Sequence, residues 1–352
     1  MSKPAGQMIM DQLDALSRAA VDHQYTLQSE IWKAYGQAGY TKSVRDAAYH
    51  FSYLAESLAA NHPSLFIDYI AWLKVLLAGL KFPAPVLTAM LNTSDQALQE
   101  ILAPDLAAEA CATVDAACAH LPLIPEALAS FLEPGAPLFD LATRYLDALL
   151  HGNRHTASQL ILDAVAGGVG VKDLYLYVFQ PTQQEIGRLW QMNQISVAQE
   201  HLCTAATQMV MSRLYPYIFS AHPLGHRLLA ASVGGELHEL GVRMVADFLE
   251  MDGWDTYYLG ASTPTDSILR AIAENKVEVV AISATLTLHI SKVADLIERI
   301  RAASSFPPVK IMVGGYPFNI AGDLWQQVGA AGFAPNAGEA VSMAHHLLEV
   351  PA

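Results

Sequence analysis

The feature that most constrains the fold is a change of hydrophobic period near residue 226. From there on, short runs rich in β-branched residues alternate with longer amphipathic segments. This alternation predicts βαβ units that build a parallel, doubly wound sheet. The predicted strands are 228–233, 256–259, 277–283, 309–313 and 333–334, and the predicted helices between and after them are 239–252, 264–275, 288–303 and 338–349.

The sequence before residue 226 has helical periodicity almost throughout. Pro181 falls inside one predicted helix and is expected to kink it. The segment 133–137, Glu-Pro-Gly-Ala-Pro, is the best linker candidate. The predicted helices are 7–37, 42–60, 63–80, 95–118 and 124–132, then 137–151, 154–167, 171–189 and 196–216. We therefore expect an α + α/β protein with an all-helical domain (1–135), a four-helix bundle (138–222) and a Rossmann-like parallel-sheet domain (226–352).

Composition excludes several classes of protein. The formal net charge of −14 argues against direct nucleic-acid binding, which normally needs a basic face. Three cysteines are too few for a disulfide scaffold and fit a reducing cytoplasm. The most apolar stretch, 65–80, contains Asp68 and Lys74 and is shorter than the ~20 residues that span a bilayer. A cytoplasmic protein without a membrane span or a secretory signal is expected.

The loop after the first predicted strand, residues 234–241, reads Gly-Gly-Glu-Leu-His-Glu-Leu-Gly. Its glycines allow a sharp turn and the close approach of a large ligand. His238 lies at the carboxyl edge of the sheet, where doubly wound folds bind ligands. Neutral imidazole is a common transition-metal ligand, and Glu236 is placed to fix its tautomer. A surface histidine without a ligand is the alternative at this point.

The loops after the other strands add small residues and hydroxyls to the same edge. They include Gly260-Ala-Ser-Thr-Pro264, Ser283-Ala-Thr-Leu-Thr287 and Gly314-Gly315. Each motif is weak by itself, but their order across the region is a strong signal. A long, mostly apolar group with a few polar anchors would fit this edge.

With these motifs, residues 226–350 resemble the cobalamin-binding domain of methionine synthases, corrinoid methyl carriers and coenzyme-B12 mutases. The family fingerprint is Asp-x-His-x-x-Gly, then Ser-x-Leu or Ser-x-Thr, then Gly-Gly. The resemblance implies that His238 coordinates cobalt from below. It also implies that a slot lined by Gly241, Ser283, Thr285, Gly314 and Gly315 holds the nucleotide tail of the cofactor. Glu236 stands where most of the family has Asp, which puts its hydrogen bond to the imidazole in question. The implied cofactor contacts are Glu236, Leu237, Glu239, Leu240, Gly241, Ser283, Thr285, Leu286, Gly314, Gly315 and Tyr316.

The bundle region contains Trp190 followed, after nine residues, by Glu200 and His201. A core tryptophan and a helix-start carboxylate are the ordinary explanation. The spacing resembles the cap of light-responsive cobalamin regulators of the CarH type. That resemblance implies adenosylcobalamin, with Trp190, Glu200 and His201 around its adenosyl group. Gln191 departs from the pattern, because a histidine follows the tryptophan in those regulators.

Two interpretations are open for the N-terminal third. One is a helical interaction or dimerisation domain whose aromatic residues form its core. The other is a biliverdin pocket, because a helical domain beside such a cobalamin unit is similar to the photocobilins. A bilin needs an aromatic slot and cations for its propionates. The candidate side chains for that pocket are His50, His62, Arg45 and Lys74.

The resulting expectation is a light sensor rather than an enzyme, with no catalytic residues. Photolysis of adenosylcobalamin would change a homo-oligomer or the binding of a partner protein. A corrinoid methyl carrier of a methyltransferase system is the first alternative, and a cobalamin-dependent antirepressor is the second. A mutase is disfavoured, because nothing in the sequence resembles its substrate-binding barrel.

Overall fold

The computed structural model describes residues 4–219 and 221–349, which divide into two compact units. The first unit is the chain up to Ala127 with Leu286–Ser291 and Ile320–Leu324. The second unit is Leu128–Thr285, Lys292–Asn319 and the chain from Trp325 onward. The outermost ends of the predicted domains 1–135 and 226–352, and residue 220 of the predicted domain 138–222, lie outside the described residues.

The first unit is built on α-helices. Proline opens three of them at a position where its missing N–H costs nothing. Their apolar faces enclose a core that includes Leu16, Phe51 and Ile70. The helices are Ala5–Asp11, Leu13–Leu27, Ser29–Trp32, Gly36–Ala59, Pro63–Gly79, Pro85–Ile101 and Pro104–His120, with 3-10 turns at Lys33–Tyr35 and Leu121–Leu123.

Several predicted helix boundaries in this region are wrong. The predicted helix 7–37 is broken into shorter pieces, and 95–118 spans the end of one helix and most of the next. The break lies at Ala103, which is extended because the residue before a proline avoids the helical conformation. The predicted helix 124–132 does not form. Its backbone bonds to the bundle instead, since Phe131 N donates to Glu185 and Leu128 O accepts from Arg188.

The second unit begins with the four-helix bundle. Its third helix contains a π-helical segment, Tyr175–Phe179, directly before Pro181. Proline removes one helical hydrogen bond and clashes with the carbonyl of the preceding turn, which accounts for the local change of pitch. The bundle consists of Phe139–Leu150, Arg154–Ala166, the third helix made of Val171–Leu174, Tyr175–Phe179 and Gln180–Gln191, and Val197–Ser212, which the short helix Tyr215–Ile218 follows.

A five-stranded parallel sheet completes this unit, in the order β2-β1-β3-β4-β5. The order reverses between β1 and β3, and crevices at such a switch point are where doubly wound folds bind ligands. The strands are β1 (Arg227–Ser232), β2 (Asp255–Gly260), β3 (Val279–Ser283), β4 (Lys310–Gly314) and β5 (Gly332–Phe333). The helices of this part are Leu240–Glu250, Thr265–Asn275, Ile290–Ala302, Tyr316–Ile320, Leu324–Gln327 and Ala337–Glu349.

The helix Leu240–Glu250 joins the bundle to the sheet. Met244 and Phe248 on this helix belong to the core of the bundle. The buried Asp247 accepts a 2.7 Å hydrogen bond from the Tyr175 hydroxyl, and Arg243 donates to the backbone carbonyl of Gln208. Burial raises the pKa of Asp247 to about 6. The fold is therefore the expected α + α/β architecture, with a helical N-terminal region, a four-helix bundle and a Rossmann-like sheet.

In residues 4–219 and 221–349, no helix combines the length and the hydropathy that a membrane crossing requires.

Candidate functional site

His238 and Glu236 form a hydrogen-bonded pair directly after β1. Glu236 is fully buried, and its Oε1 lies 2.6 Å from His238 Nδ1. The same oxygen accepts from the backbone N–H of His238 at 2.9 Å. The imidazole is 57% exposed, so the pair orients the ring while Nε2 remains for a ligand. The extra methylene of glutamate therefore does not prevent the carboxylate–imidazole contact.

Glu236 also connects three loops at the carboxyl edge of the sheet. Its Oε2 accepts from the backbone N–H of Thr285 at 2.7 Å, which links the loops after β1 and β3. Its carbonyl accepts from Ser262 N, and the Ser262 hydroxyl accepts from Gly235 N in the loop after β1. Because the loops hold one another, the position of the imidazole is fixed by the sheet.

In the protein without cofactor, we expect the pKa of His238 to lie above 6.5. The Glu236 hydrogen bond is the main cause, desolvation opposes it, and the charges of Glu236 and Glu200 add to the rise. The pair thus contributes stability below the unfolded pKa and loses it as pH rises through the raised folded value. A histidine NMR titration measures this, and Glu236→Gln should return the pKa towards 6.5. An unchanged pKa in that variant would rule out the hydrogen bond as the cause.

All the residues expected to line the nucleotide-tail slot except Gly241 lie at or just after the ends of β3 and β4. Ser283 and Gly314 end these strands and are paired in register. Gly315 has a φ of +107°, and a Cβ there would lie 2.0 Å from the carbonyl oxygen of Ala284. Only glycine allows this close approach of two backbones. Of the other predicted contacts, Thr285 is half-buried and Tyr316 is 53% exposed in the second unit. Leu286 belongs to the first unit and is half-buried.

The surface around His238 fits a large, partly apolar group. Leu237, which lies between Glu236 and His238, is 75% exposed. A Cβ added at Gly241 would meet no heavy atom within 4 Å, so the first turn of the following helix is open. With the exposed Tyr316, these residues offer apolar surface and space at the edge where the imidazole projects. The residues present therefore fit a corrin ring.

The structure places the three predicted cap residues on two bundle helices. Trp190 is half-buried near the end of Gln180–Gln191, whereas Glu200 and His201 lie in the first turns of Val197–Ser212. Glu200 accepts from Thr204 at 2.9 Å and lies 2.5 Å from His201 Nδ1. The Glu200 charge is one of the smaller causes that raise the pKa of His238.

Glu239 and Leu240 were also predicted as cofactor contacts. The structure directs the Glu239 carboxylate to protein donors, namely Gln208, Tyr258 and the backbone of Ala261. Leu240 is half-buried and packs against the core of the bundle. Sequence reasoning did not find Gln208 or Tyr258, because each is an ordinary residue in its own helix or strand.

The four side chains suggested for a bilin all lie in the first unit. The half-buried His50 bonds through Nδ1 to the Tyr69 hydroxyl, and desolvation lowers its pKa to about 4. Lys74 donates to the carbonyls of Leu121 and Ile124 and so holds the end of a neighbouring helix. His62 precedes the helix Pro63–Gly79 as its N-cap residue, and Arg45 is exposed on the surface. Lys74 and His50 are thus used inside the helical unit.

Two regions of the chain match known protein families. Residues 226–342 match the family described as B12 binding domain. Residues 141–215 match a second family with the same description. The first match contains the His238 loop and the sheet, and the second contains most of the bundle. Two regions of the chain, which include the His238 loop and most of the bundle, are thus similar to B12 binding domains.

The similar proteins are corrinoid proteins. The chain is 25% identical over 219 residues to monomethylamine corrinoid protein 1 of Methanosarcina acetivorans, which covers 60% of this chain and 98% of the relative. It is 30% identical over 122 residues to dimethylamine corrinoid protein 3 of the same organism, over 34% of this chain and 56% of the relative. In fold, it is similar to the monomethylamine corrinoid protein of Methanosarcina barkeri, with a TM-score of 0.53, 22% identity and coverage of 60% and 100% of the two chains.

These relatives correct the resemblance to light-responsive regulators and photocobilins. The matched proteins are methylamine corrinoid proteins, and no photoreceptor is among those compared above. The photoreceptor assignment drawn from Trp190, Glu200 and His201 is wrong. Light sensing, biliverdin and a light-dependent oligomer have no support from these comparisons. Cobalamin binding, which the sequence motifs also indicated, is supported.

Proposed function

We propose that this protein is a corrinoid-binding methyl carrier that works with a partner methyltransferase. The observation that carries the proposal is the buried Glu236 bonded to the exposed His238 at the switch point of the sheet. The names of the relatives, which are corrinoid proteins for methylated amines, support a methylated amine as the donor class. Catalysis of methyl transfer would belong to the partner, and this chain would present the cofactor.

In this proposal each part of the second unit has a role. His238 Nε2 would coordinate the cobalt of the corrinoid, and Glu236 would keep the imidazole in the required tautomer. The loops containing Ser283, Thr285 and Gly315 would receive the nucleotide tail. When bound, cobalamin supplies a cobalt centre that accepts and releases a methyl group. The bundle, residues 138–222, would cover the opposite face of the corrin, and residues 226–352 would hold the cofactor.

The residues of the chain would control the access of water to the cofactor and the protonation of His238, and would not themselves form a bond to the methyl group. Glu236 would stabilise the proton on Nδ1, which leaves Nε2 as the atom that faces the metal. Leu237 and Tyr316 are exposed in the protein alone. Because covering apolar surface is favourable, both would pack against the edge of the corrin and exclude water from it. Trp190 and Glu200, on two helices of the bundle, would border the space in which the methyl group is exchanged.

Uptake of a methyl group by the loaded protein tests this function. We would bind hydroxocobalamin, remove the excess by gel filtration, reduce the protein with titanium(III) citrate and add radiolabelled iodomethane. The label should remain with the protein in the dark and leave on illumination, because the cobalt–carbon bond is photolabile. In a second arm, monomethylamine and a methylamine methyltransferase replace iodomethane as the donor.

Two outcomes would contradict the proposal. One is a protein that fails to retain hydroxocobalamin through gel filtration. The other is a protein that takes up no methyl group but whose gel-filtration elution volume, when it is loaded with adenosylcobalamin, differs strongly between dark and light. That result would indicate a sensor. Retention of cobalamin with methyl uptake and an unchanged elution volume is the expected result.

A further inference from the structure

Glu239, the residue after His238, has both carboxylate oxygens bonded to other parts of the protein. Oε1 accepts from Gln208 Nε2 at 2.6 Å. Oε2 accepts from the Tyr258 hydroxyl at 2.9 Å and from Ala261 N at 3.0 Å. Hydrogen bonds to an ionised acceptor are the stronger kind, so Glu239 is held firmly on two sides.

These donors come from different elements of the second unit. Gln208 lies on the bundle helix Val197–Ser212, whereas Tyr258 lies on β2 and Ala261 follows it. Gly260, with a φ of +77°, lets β2 end close to this carboxylate, because a Cβ there would be 3.0 Å from Glu239 Oε2. Glu239 is thus the point at which the sheet edge, the His238 loop and the bundle meet.

The His238 loop is fixed independently on its sheet side. Glu236 bonds to Thr285 N, and Ser262 bonds to both Glu236 O and Gly235 N. Breaking the bond between Glu239 and Tyr258 leaves those contacts and Ala261 N in place. Breaking the bond between Glu239 and Gln208 removes a direct link from the loop to the bundle. Breaking the two bonds one at a time therefore distinguishes how much the sheet and the bundle each contribute to holding the His238 loop.

We propose that Glu239 is a positioning residue that ties the bundle helix to the loop carrying His238, through its hydrogen bond to Gln208. A displacement of the bundle would then move Glu239 and, with it, the imidazole of the preceding residue, His238. This inference rests on the proposed function, because it concerns how movement of the bundle would change the position of His238 as a ligand of the cofactor. The hydrogen bond itself is a property of the protein without cofactor.

Gln208→Leu and Tyr258→Phe form the matched pair of variants that tests it. Each removes one hydrogen bond to Glu239 and changes side-chain volume little. Hydrogen exchange in the cofactor-free protein should be about 10-fold faster in residues 234–239 of Gln208→Leu, equal to a loss of about 1.4 kcal/mol of protection. Tyr258→Phe should exchange at nearly the unaltered rate. Gln208→Lys keeps a donor for Glu239 and should restore the slower exchange.

The second readout is the axial ligand of the bound cofactor. In the cobalt(II) form, electron paramagnetic resonance resolves splitting from an axial nitrogen. We expect the nitrogen-coordinated fraction to fall several-fold in Gln208→Leu, to recover in Gln208→Lys and to stay unchanged in Tyr258→Phe. Equal exchange and equal splitting in both variants and the unaltered protein would overturn the inference. Failure of all variants and the unaltered protein to bind cobalamin would overturn the proposed function, while the exchange result would still decide this inference.

Discussion

His238→Ala protein, loaded with hydroxocobalamin and reduced to cobalt(II), should show no nitrogen splitting from a protein ligand. The side chain is the exposed imidazole that the buried Glu236 orients, and alanine provides no donor in its place. Loss of a partner in the second coordination sphere already costs ~10–100-fold in metal affinity, so loss of the ligand should cost at least as much. Affinity is measured by titration of the visible spectrum.

His201→Ala is the matched control for that experiment. His201 is 75% exposed. It follows Glu200, whose charge contributes to the raised pKa of His238. If the bundle supplied the axial nitrogen, the splitting would disappear in His201→Ala and persist in His238→Ala. We expect the reverse. Splitting from a protein nitrogen that survives in His238→Ala would remove the assignment on which the proposed function depends.

The parallel sheet was predictable from sequence almost residue by residue. Buried parallel strands are continuous apolar runs, and the predicted strand 228–233 differs from β1 by one residue at each end. Helix boundaries in the N-terminal region were less predictable, because one amphipathic period continues through several helices. The error at 124–132 has a tertiary cause, since Glu185 and Arg188 on the bundle take the backbone groups of Phe131 and Leu128.

The candidate residues of the site could be named from the sequence, whereas the contacts that support them could not. The loop sequence placed Glu236 beside His238, yet only the fold shows that the carboxylate also reaches Thr285 N in the loop after the neighbouring strand. The Trp190, Glu200 and His201 spacing misled, because a short motif does not specify the group above the corrin. Glu200 is bonded to Thr204 and His201 within its own helix, which a bundle of any corrinoid protein could accommodate.

Gly315→Ala should destabilise the second unit by roughly 2–6 kcal/mol, from backbone strain and overpacking together. At a φ of +107° an L-residue is strained, and the new Cβ would lie 2.0 Å from Ala284 O and 2.8 Å from its carbonyl carbon. Both contacts are with backbone, which cannot rotate away as a side chain can. The displaced backbone adjoins Thr285, whose N–H holds Glu236. Urea denaturation of the cofactor-free protein, followed by circular dichroism, measures the loss.

Gly241→Ala separates folding from ligand approach at the same edge of the sheet. Gly241 is in the first turn of the helix Leu240–Glu250, and an added Cβ meets nothing within 4 Å. Alanine favours the helix over glycine by roughly 0.5–1 kcal/mol, so the cofactor-free protein should become slightly more stable. If the corrin lies against this turn, the same methyl group should weaken hydroxocobalamin binding. Weaker binding in a more stable protein would place the ligand there, whereas unchanged binding would show that the corrin does not approach Gly241.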